Sequence, residues 1–109
     1  MGERIFNMSW IKLQSEHDDL DKYQDYHNSI YYYKKDTQIV HNPYGPAIIY
    51  RDGTKVYLIE SKYHRLDGPA RILPNGEGAY YINNKCLTKQ EFEIKRLKFL
   101  GKEHLMCII

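Results

Sequence analysis

The sequence predicts a mainly β (α+β) protein, in which an antiparallel β-meander of hairpin repeats ends in a C-terminal capping helix. Residues 41–63 are followed directly by residues 64–86, and at an offset of 23 residues nine positions are identical. Self-similarity at a fixed short period indicates a repeat architecture. Each copy also holds an Asp-Gly or Asn-Gly pair between short β-rich runs, which is typical of a hairpin turn. The identical pairs are His41/His64, Gly45/Gly68, Pro46/Pro69, Ala47/Ala70, Ile49/Ile72, Gly53/Gly76, Tyr57/Tyr80, Ile59/Ile82 and Lys62/Lys85.

The chain has 109 residues, the size of a single domain. We divide it into an N-terminal segment (1–29), a β-repeat sheet (30–86) and a C-terminal helix and tail (87–109). No run approaches the ~20 apolar residues that cross a bilayer, and residues 1–13 lack the pattern of a signal peptide. Cys86 and Cys107 give no metal-ligand spacing. Reduced thiols and a cytoplasmic location are therefore expected.

The charge of the chain is nearly balanced but unevenly distributed. Sixteen basic and fourteen acidic side chains leave a formal net charge of +2, which argues against a dedicated nucleic-acid binder with its concentrated basic surface. Acidic residues concentrate in residues 14–28, and basic residues follow Thr88. The eleven tyrosines suit half-buried strands and contact surfaces.

The first 29 residues are ambiguous. Residues 4–13 fit either a helix or a strand, and their Ile, Phe and Trp content favours the strand. Residues 14–28 are polar and acidic, and they are expected to form either a short helix capped by Ser15 or a solvated loop.

Residues 30–40 are interpreted as a degenerate extra repeat unit, because a tyrosine run enters a turn and then reaches His41. The sheet would then have about five or six strands.

Alternation within the two hairpins predicts which side chains are packed. The positions of one parity hardly differ between the copies, so they are predicted to form the packed face. The positions of the other parity differ, so they are predicted to form the outer face. The packed set is Ala47, Ile49, Tyr57 and Ile59 with their counterparts Ala70, Ile72, Tyr80 and Ile82, and the outer set is Ile48/Arg71, Tyr50/Leu73, Val56/Ala79 and Leu58/Tyr81.

A helix is predicted from Lys89 to about Leu100. Thr88 and Glu91 have the spacing of a capping box, and Leu87 and Phe92 that of a hydrophobic staple. Gly101 then provides a natural end. The apolar tail at 104–109 is expected to pack, either on this fold or on a neighbouring copy in a homo-oligomer.

The 23-residue unit resembles MORN repeats, which combine an aromatic strand, a tight turn, a small-residue strand and an Asn-Gly or Asp-Gly hairpin. Residues 64–70, His-Arg-Leu-Asp-Gly-Pro-Ala, more closely resemble the His-Arg-X-Asp-Gly-Pro-Ala repeat of many bacteriophage and giant-virus proteins. The resemblance covers residues 30–92, and residues 41–46 depart from it with Asn42, Pro43 and Tyr44. It implies a viral protein that acts in the host cytoplasm by binding host proteins, including components of defence systems.

Residue patterns of enzymes and metal sites are missing from the sequence. His41 and His64 each precede a tight turn, so a structural hydrogen-bonding role is expected for them. No His/Cys/Asp cluster has metal spacing, and the acidic segment lacks the glycine and final glutamate of a calcium loop. Since no phosphate loop or nucleophile motif is present either, we expect a protein that is not an enzyme and needs no cofactor.

The leading hypothesis is a protein–protein interaction module that binds, and thereby inhibits, a host protein. Aromatic anchors with a charged rim are typical of such surfaces. The candidate contact residues are Tyr50, Leu58, Leu73 and Tyr81 on the outer face, together with Glu16, Asp18, Asp19, Asp21 and Asp25. One alternative is a nucleic-acid module that uses residues 31–35 as a stacking platform beside the basic residues 89–102. Another, suggested by the MORN resemblance, is attachment to an anionic membrane surface.

Overall fold

The computed structural model describes residues 10–101, which form a mainly β fold with ten strands and one helix. The predictions for residues 4–9 and 104–109 lie outside this range. The strands are β1 (Ile11–Leu13), β2 (Leu20–Gln24), β3 (Ile30–Lys34), β4 (Ile48–Ile49), β5 (Lys55–Val56), β6 (Leu58–Ile59), β7 (Lys62–Tyr63), β8 (Arg71–Ile72), β9 (Gly78–Ile82) and β10 (Lys85–Leu87), and the helix is α1 (Lys89–Phe99).

Eight of these strands form one antiparallel sheet. Its order is β1-β2-β3-β4-β5-β8-β9-β10, and β6 and β7 pair separately. Neighbouring strands are consecutive in the chain except β5 and β8, which are separated by β6 and β7. The expected mainly β class with a C-terminal helix is confirmed. The expected number of five or six strands is too low, because residues 10–24 supply two further strands. The strand β1 confirms the strand favoured for residues 4–13 as far as the structure describes them, whereas β2 was not predicted.

Backbone pairing in the first hairpin is matched 23 residues later. Ile48 pairs with Val56, and Arg71 pairs with Ala79. The N–H of Ala47 donates to the Val56 carbonyl at 2.8 Å, and the N–H of Ala70 donates to the Ala79 carbonyl at 2.9 Å. The turns between these strands hold Gly53 at φ 97° and Gly76 at φ 93°, a region that favours glycine.

A second pairing is also matched at this offset. Leu58 pairs with Tyr63, and Tyr81 pairs with Cys86. Between them lie the positive-φ turns of residues 60–61 and 83–84. Upstream, an isolated antiparallel bridge joins Tyr33 to Val40. The tyrosine run and the residues before His41 are therefore adjacent, as the degenerate-unit hypothesis requires.

The outer-face prediction is wrong for Val56 and Leu58, which are 3% and 7% exposed. They form a buried cluster with Ala47, against which Ile48 and Tyr63 pack. The chain changes its pairing partner between these two residues: Val56 lies opposite Ile48, and Leu58 lies opposite Tyr63. Side chains from both sheets therefore cover Val56 and Leu58 on this side. Of the predicted packed set, Ala47, Ala70 and Ile82 are buried, whereas Ile49, Ile72, Tyr57, Ile59 and Tyr80 are half-buried.

Residues 20–24 form the strand β2, so neither the expected helix nor the expected loop is found there, whereas residues 14–19 have no regular secondary structure, as the loop alternative predicted. Leu20 is buried, and the strand pairs along its whole length with the tyrosine run of β3. The Asp25 carboxylate accepts the N–H groups of His27 and Ser29, both at 2.9 Å, in the turn to β3. Acidic residues thus lie in a strand and its turn because their carboxylates satisfy backbone donors.

The helix α1 begins and ends close to the predicted positions. The Thr88 hydroxyl accepts the Glu91 N–H at 3.1 Å, and the Glu91 carboxylate accepts the Thr88 N–H at 2.9 Å, so the capping box is confirmed. Leu87 and Phe92 belong to one buried cluster with Ile82. This cluster fixes α1 against β9 and β10. Within residues 10–101, no helix is long and apolar enough to cross a membrane.

Candidate interaction groove

One face of the sheet is rich in aromatic side chains. Residues directly opposite each other in antiparallel strands project to the same side. Tyr31, Ile48, Val56 and Arg71 form such a cross-strand row, which continues to Ala79 in β9. We call this side the aromatic face. It carries the residues that differ between the two 23-residue copies.

Ring contacts link the aromatic residues of this face. Trp10 stacks on Tyr31 with ring centroids 4.8 Å apart, and Tyr31 meets Tyr50 edge to face at 6.5 Å. Tyr63 stacks on Tyr81 at 4.7 Å. These contacts fix the orientation of the rings before any partner binds, which reduces the conformational entropy lost on binding.

A groove of about 540 Å³ lies between these aromatic pairs. Tyr50 and Tyr63 contribute aromatic walls, and Arg51 and Arg71 contribute two guanidinium groups, while the buried Val56 borders the groove. We call this the Arg51–Arg71 groove. Its volume lies within the range of about 300–1,000 Å³ that is typical of ligand sites.

Backbone hydrogen bonds hold the wall of the groove in place. The hydroxyl of buried Ser29 accepts the N–H of Arg51 at 3.0 Å. The N–H of buried Thr54 donates to Asp52 Oδ1 at 2.8 Å, and the N–H of Tyr50 donates to the Thr54 carbonyl at 2.8 Å. The turn that carries Tyr50 and Arg51 is therefore well defined.

The arginines of the groove differ from the other arginines between residues 10 and 101. Arg65 donates to Asp67 at 2.8 Å and to the Pro69 carbonyl at 3.1 Å, and it lies 3.9 Å from the centre of the Tyr57 ring. Arg96 donates to the Leu66 carbonyl at 2.6 Å. Within the described part of the chain, the guanidinium groups of Arg51 and Arg71 make neither a hydrogen bond nor an ion pair.

Asp52 is the acidic residue of the groove. The pKa of its carboxyl is lowered, first by the N–H and hydroxyl of Thr54 and less strongly by the nearby positive charge of Arg71. The carboxylate is thus ionised at neutral pH and partly balances Arg71. Two arginines and one aspartate leave the groove with a net positive charge.

The predicted contact residues of the outer face differ in their exposure to solvent. Tyr50 is 40% exposed and lines the groove. Leu73 and Tyr81 are half-buried. Leu58 is buried and belongs to the core cluster, so the prediction that it lies on the outer face is wrong. A role in partner binding stays a prediction for Tyr50, Leu73 and Tyr81.

The predicted acidic contact segment is mostly engaged within the fold. Asp21 and Asp25, two of the predicted contact residues, are only 4% and 9% exposed, so they present little surface to a partner. Asp21 accepts the Asp36 N–H at 2.9 Å and lies 3.8 Å from Lys12 Nζ. Burial raises the pKa of Asp25, but hydrogen bonds from the N–H groups of Ser29 and His27 outweigh this effect and lower it.

Glu16, Asp18 and Asp19 are exposed. Glu16 is 2.6 Å from Lys22 Nζ and accepts the Tyr32 hydroxyl at 2.8 Å. Its pKa is lowered to about 2, chiefly by the Lys22 hydrogen bond. Asp19 accepts the Tyr44 hydroxyl at 2.9 Å. The carboxylates of Glu16 and Asp19 thus hold the segment before β2 against its neighbours, and a role of the three residues in partner binding stays a prediction.

The stacking platform predicted at residues 31–35 is not an open surface. Tyr32 and Tyr33 are buried, with 7% and 6% exposure. Tyr31 is already stacked on Trp10, and burial, followed by the charge of Asp25, raises its pKa to about 12. Burial of these rings leaves little aromatic surface for bases to stack on.

Sequence reasoning missed Arg51, Tyr63 and Arg71 as a group. Arg51 lies in the turn after β4, and Tyr63 ends β7. Only the pairing of strands brings these residues together in the groove. Arg71 replaces Ile48 at the equivalent position of the second copy. A charged residue in an otherwise apolar strand position was the one available signal.

No protein-family model, curated protein or solved structure matches this chain. The resemblance to MORN repeats therefore stays a prediction. Residues 10–101 contain no group of three or more His, Cys, Asp or Glu side chains arranged to hold a metal ion. Function is inferred from the groove itself.

Proposed function

We propose that this protein is a non-enzymatic protein–protein interaction module whose partner binds the Arg51–Arg71 groove. The proposal rests on two arginines that make no hydrogen bond or ion pair within residues 10–101 and that share one concave surface with the exposed Tyr50 ring and the half-buried Tyr63 ring. Tyrosine and arginine dominate the energetically important residues of protein interfaces. Because Arg51 and Arg71 do not stabilise the fold through ion pairs within the described residues, their use in binding is the simplest account of their position.

We further propose that residues 41–86 are two MORN-like repeats of the His-Arg-X-Asp-Gly-Pro-Ala kind. The matched strand pairings 23 residues apart and the matched turns at Gly53 and Gly76 support this interpretation. On this proposal the backbone structure shared by the two copies builds the scaffold, while Arg51, Tyr63 and Arg71 determine which partner the chain binds. The resemblance to bacteriophage proteins suggests a host protein in the cytoplasm as the partner, and inhibition of a defence component as the result.

Photocrosslinking tests the proposed function. Tyr50 is replaced by photoreactive p-benzoylphenylalanine, and the purified protein is irradiated in lysate of the cells in which the chain is naturally expressed. A discrete crosslinked protein, identified by mass spectrometry, is expected. Lys55 is the matched control position, because it is exposed and its register places it on the opposite face from Val56. The proposal fails if position 50 gives no discrete adduct, or if both positions give the same adducts.

A further inference from the structure

We infer that the Arg51–Arg71 groove binds an acidic peptide segment in which carboxylate side chains alternate with apolar ones. The inference rests on the proposed function, since it names the chemistry of the partner at the same groove. It follows from three features: the charge of the groove, its apolar wall, and the single aspartate beside Arg71.

The charge of the groove favours carboxylates. Arg65 and Arg96 show how this chain satisfies guanidinium groups that it uses internally, with acceptors at 2.6–3.1 Å. Arg51 and Arg71 have no such acceptors among the described residues. The planar guanidinium group pairs with a carboxylate through two parallel hydrogen bonds, a geometry that lysine does not offer.

The apolar part of the groove requires side chains between those carboxylates. The exposed Tyr50 ring and the half-buried Tyr63 ring lie in the same concave surface as the two arginines, which the buried side chain of Val56 also borders. Tyr50 is held by its edge contact with Tyr31. Successive side chains of an extended segment point to opposite sides. A segment that lies on its edge in the groove can therefore direct its glutamates toward the arginines and its alternate leucine or tryptophan side chains toward the tyrosine rings. Burial of an aromatic or aliphatic anchor supplies most of the affinity of such contacts.

Asp52 argues against a nucleic-acid strand. Its carboxylate is ionised at neutral pH, as an ordinary aspartate is, and would repel successive phosphates. Affinity for a phosphate backbone requires many cations in a row, whereas the groove has two arginines. A peptide can place neutral side chains beside Asp52, so the groove discriminates between the two classes of partner.

Fluorescence anisotropy and ¹⁵N–¹H NMR on the full chain test the inference with defined probes. The first probe is a short synthetic peptide that alternates Glu with Leu and Trp, the second is the same peptide with every Glu changed to Gln, and the third is oligothymidylate. The Glu peptide is expected to bind and to shift the amide signals of Tyr50, Arg51 and Arg71. The Gln peptide should bind at least about tenfold more weakly, and increasing salt should reduce this difference.

Matched variants locate the interaction. The double variant R51Q/R71Q should bind the Glu peptide no better than the Gln peptide, while K55Q, which removes an exposed charge from the opposite face, should bind as the unmodified chain does. Circular dichroism is expected to be unchanged, because neither guanidinium group makes a hydrogen bond or an ion pair within residues 10–101. The inference is overturned if the two peptides bind equally, if K55Q weakens binding as much as R51Q/R71Q does, or if oligothymidylate binds the groove more tightly.

The result is separable from that of the proposed function. Suppose that position 50 crosslinks a partner, and that the yield of this adduct is the same when R51Q/R71Q is added to the crosslinking variant. The proposed interaction module is then supported, and the acidic-segment inference fails. If the Glu peptide binds as expected and crosslinking finds no cellular protein, the chemistry of the groove stands and the proposed function fails.

Discussion

His41 and His64 accept the same kind of hydrogen bond at equivalent positions. Nδ1 of His41 accepts the Glu60 N–H at 2.9 Å, and Nδ1 of His64 accepts the Asn83 N–H at 3.0 Å. Each donor begins a turn whose residues have positive φ. The two imidazole rings therefore anchor two equivalent turns, and the expected structural role of both histidines is confirmed.

Stability is expected to fall on mild acidification because of this arrangement. A neutral imidazole accepts a hydrogen bond at Nδ1, whereas the protonated ring only donates. Burial lowers the pKa of both histidines, and for His41 the charge of Lys34 lowers it further while Glu60 and Asp19 act in the opposite direction. The stabilising contribution is complete above the unfolded-state pKa of about 6.5 and is lost as the pH falls through the lower folded-state pKa. Urea denaturation followed from about pH 7 to about pH 5 measures this loss.

The double variant H41N/H64N separates this effect from other titrations. The amide oxygen of asparagine can accept a hydrogen bond but does not titrate in this range. Its stability is expected to change much less than that of the unmodified chain over the same pH interval. An equally steep loss in the double variant would show that other groups cause the acid sensitivity.

Loss of the Asp25 carboxylate is expected to destabilise the turn between β2 and β3. Oδ1 accepts the N–H groups of His27 and Ser29, and Oδ2 accepts the Tyr31 hydroxyl at 3.2 Å. Asp25→Ala leaves the buried N–H of Ser29 without its side-chain acceptor, which costs about 2 kcal/mol of unfolding free energy. Asp18→Ala is the matched control, since Asp18 is exposed, and it should change stability by no more than about 0.5 kcal/mol. Equal effects of the two substitutions in urea denaturation would contradict the role of Asp25.

Local signals in the sequence predicted the C-terminal half of the fold well. A capping box and an Asx-Gly turn are satisfied by residues within a few positions of each other, so the chain reveals them directly. Thr88, Gly53 and Gly76 accordingly lie where they were expected. The strand β2 was missed because its acidic residue, Asp21, accepts a hydrogen bond from a backbone group that is distant in the sequence, the N–H of Asp36 in the turn after β3.

The groove could be predicted only in part for a related reason. Tyr50 was identified from alternation, which is a local property. Val56 and Leu58 were assigned to the wrong face because a change of strand partner at Tyr57 brings a second sheet over their side. Arg51 and Arg71 line the same groove because of strand pairing across the sheet. Alternation within one strand contains no information about this pairing.

Thr88→Ala is expected to destabilise the protein by about 1 kcal/mol, because the hydroxyl that accepts the Glu91 N–H is lost. Thr88→Ser keeps a hydroxyl at the same position and should cost much less. Thermal denaturation followed by circular dichroism compares the two variants. If serine destabilises the chain as much as alanine does, the hydrogen bond is not what matters at this position.

The two turn glycines should respond equally to substitution, since they have the same backbone conformation. A Cβ added at Gly53 or Gly76 would meet no atom within 4 Å, so the cost of alanine is conformational strain at φ 97° and 93° and not a clash. We expect Gly53→Ala and Gly76→Ala each to lower the unfolding free energy by about 1–2 kcal/mol in urea denaturation. Gly45→Ala is the control, because its φ is not positive and its nearest atom would be Asn42 Nδ2 at 4.0 Å, and it should be neutral or slightly stabilising. Clearly unequal losses at Gly53 and Gly76 would mean that the two hairpins are not energetically equivalent, despite their matched pairing.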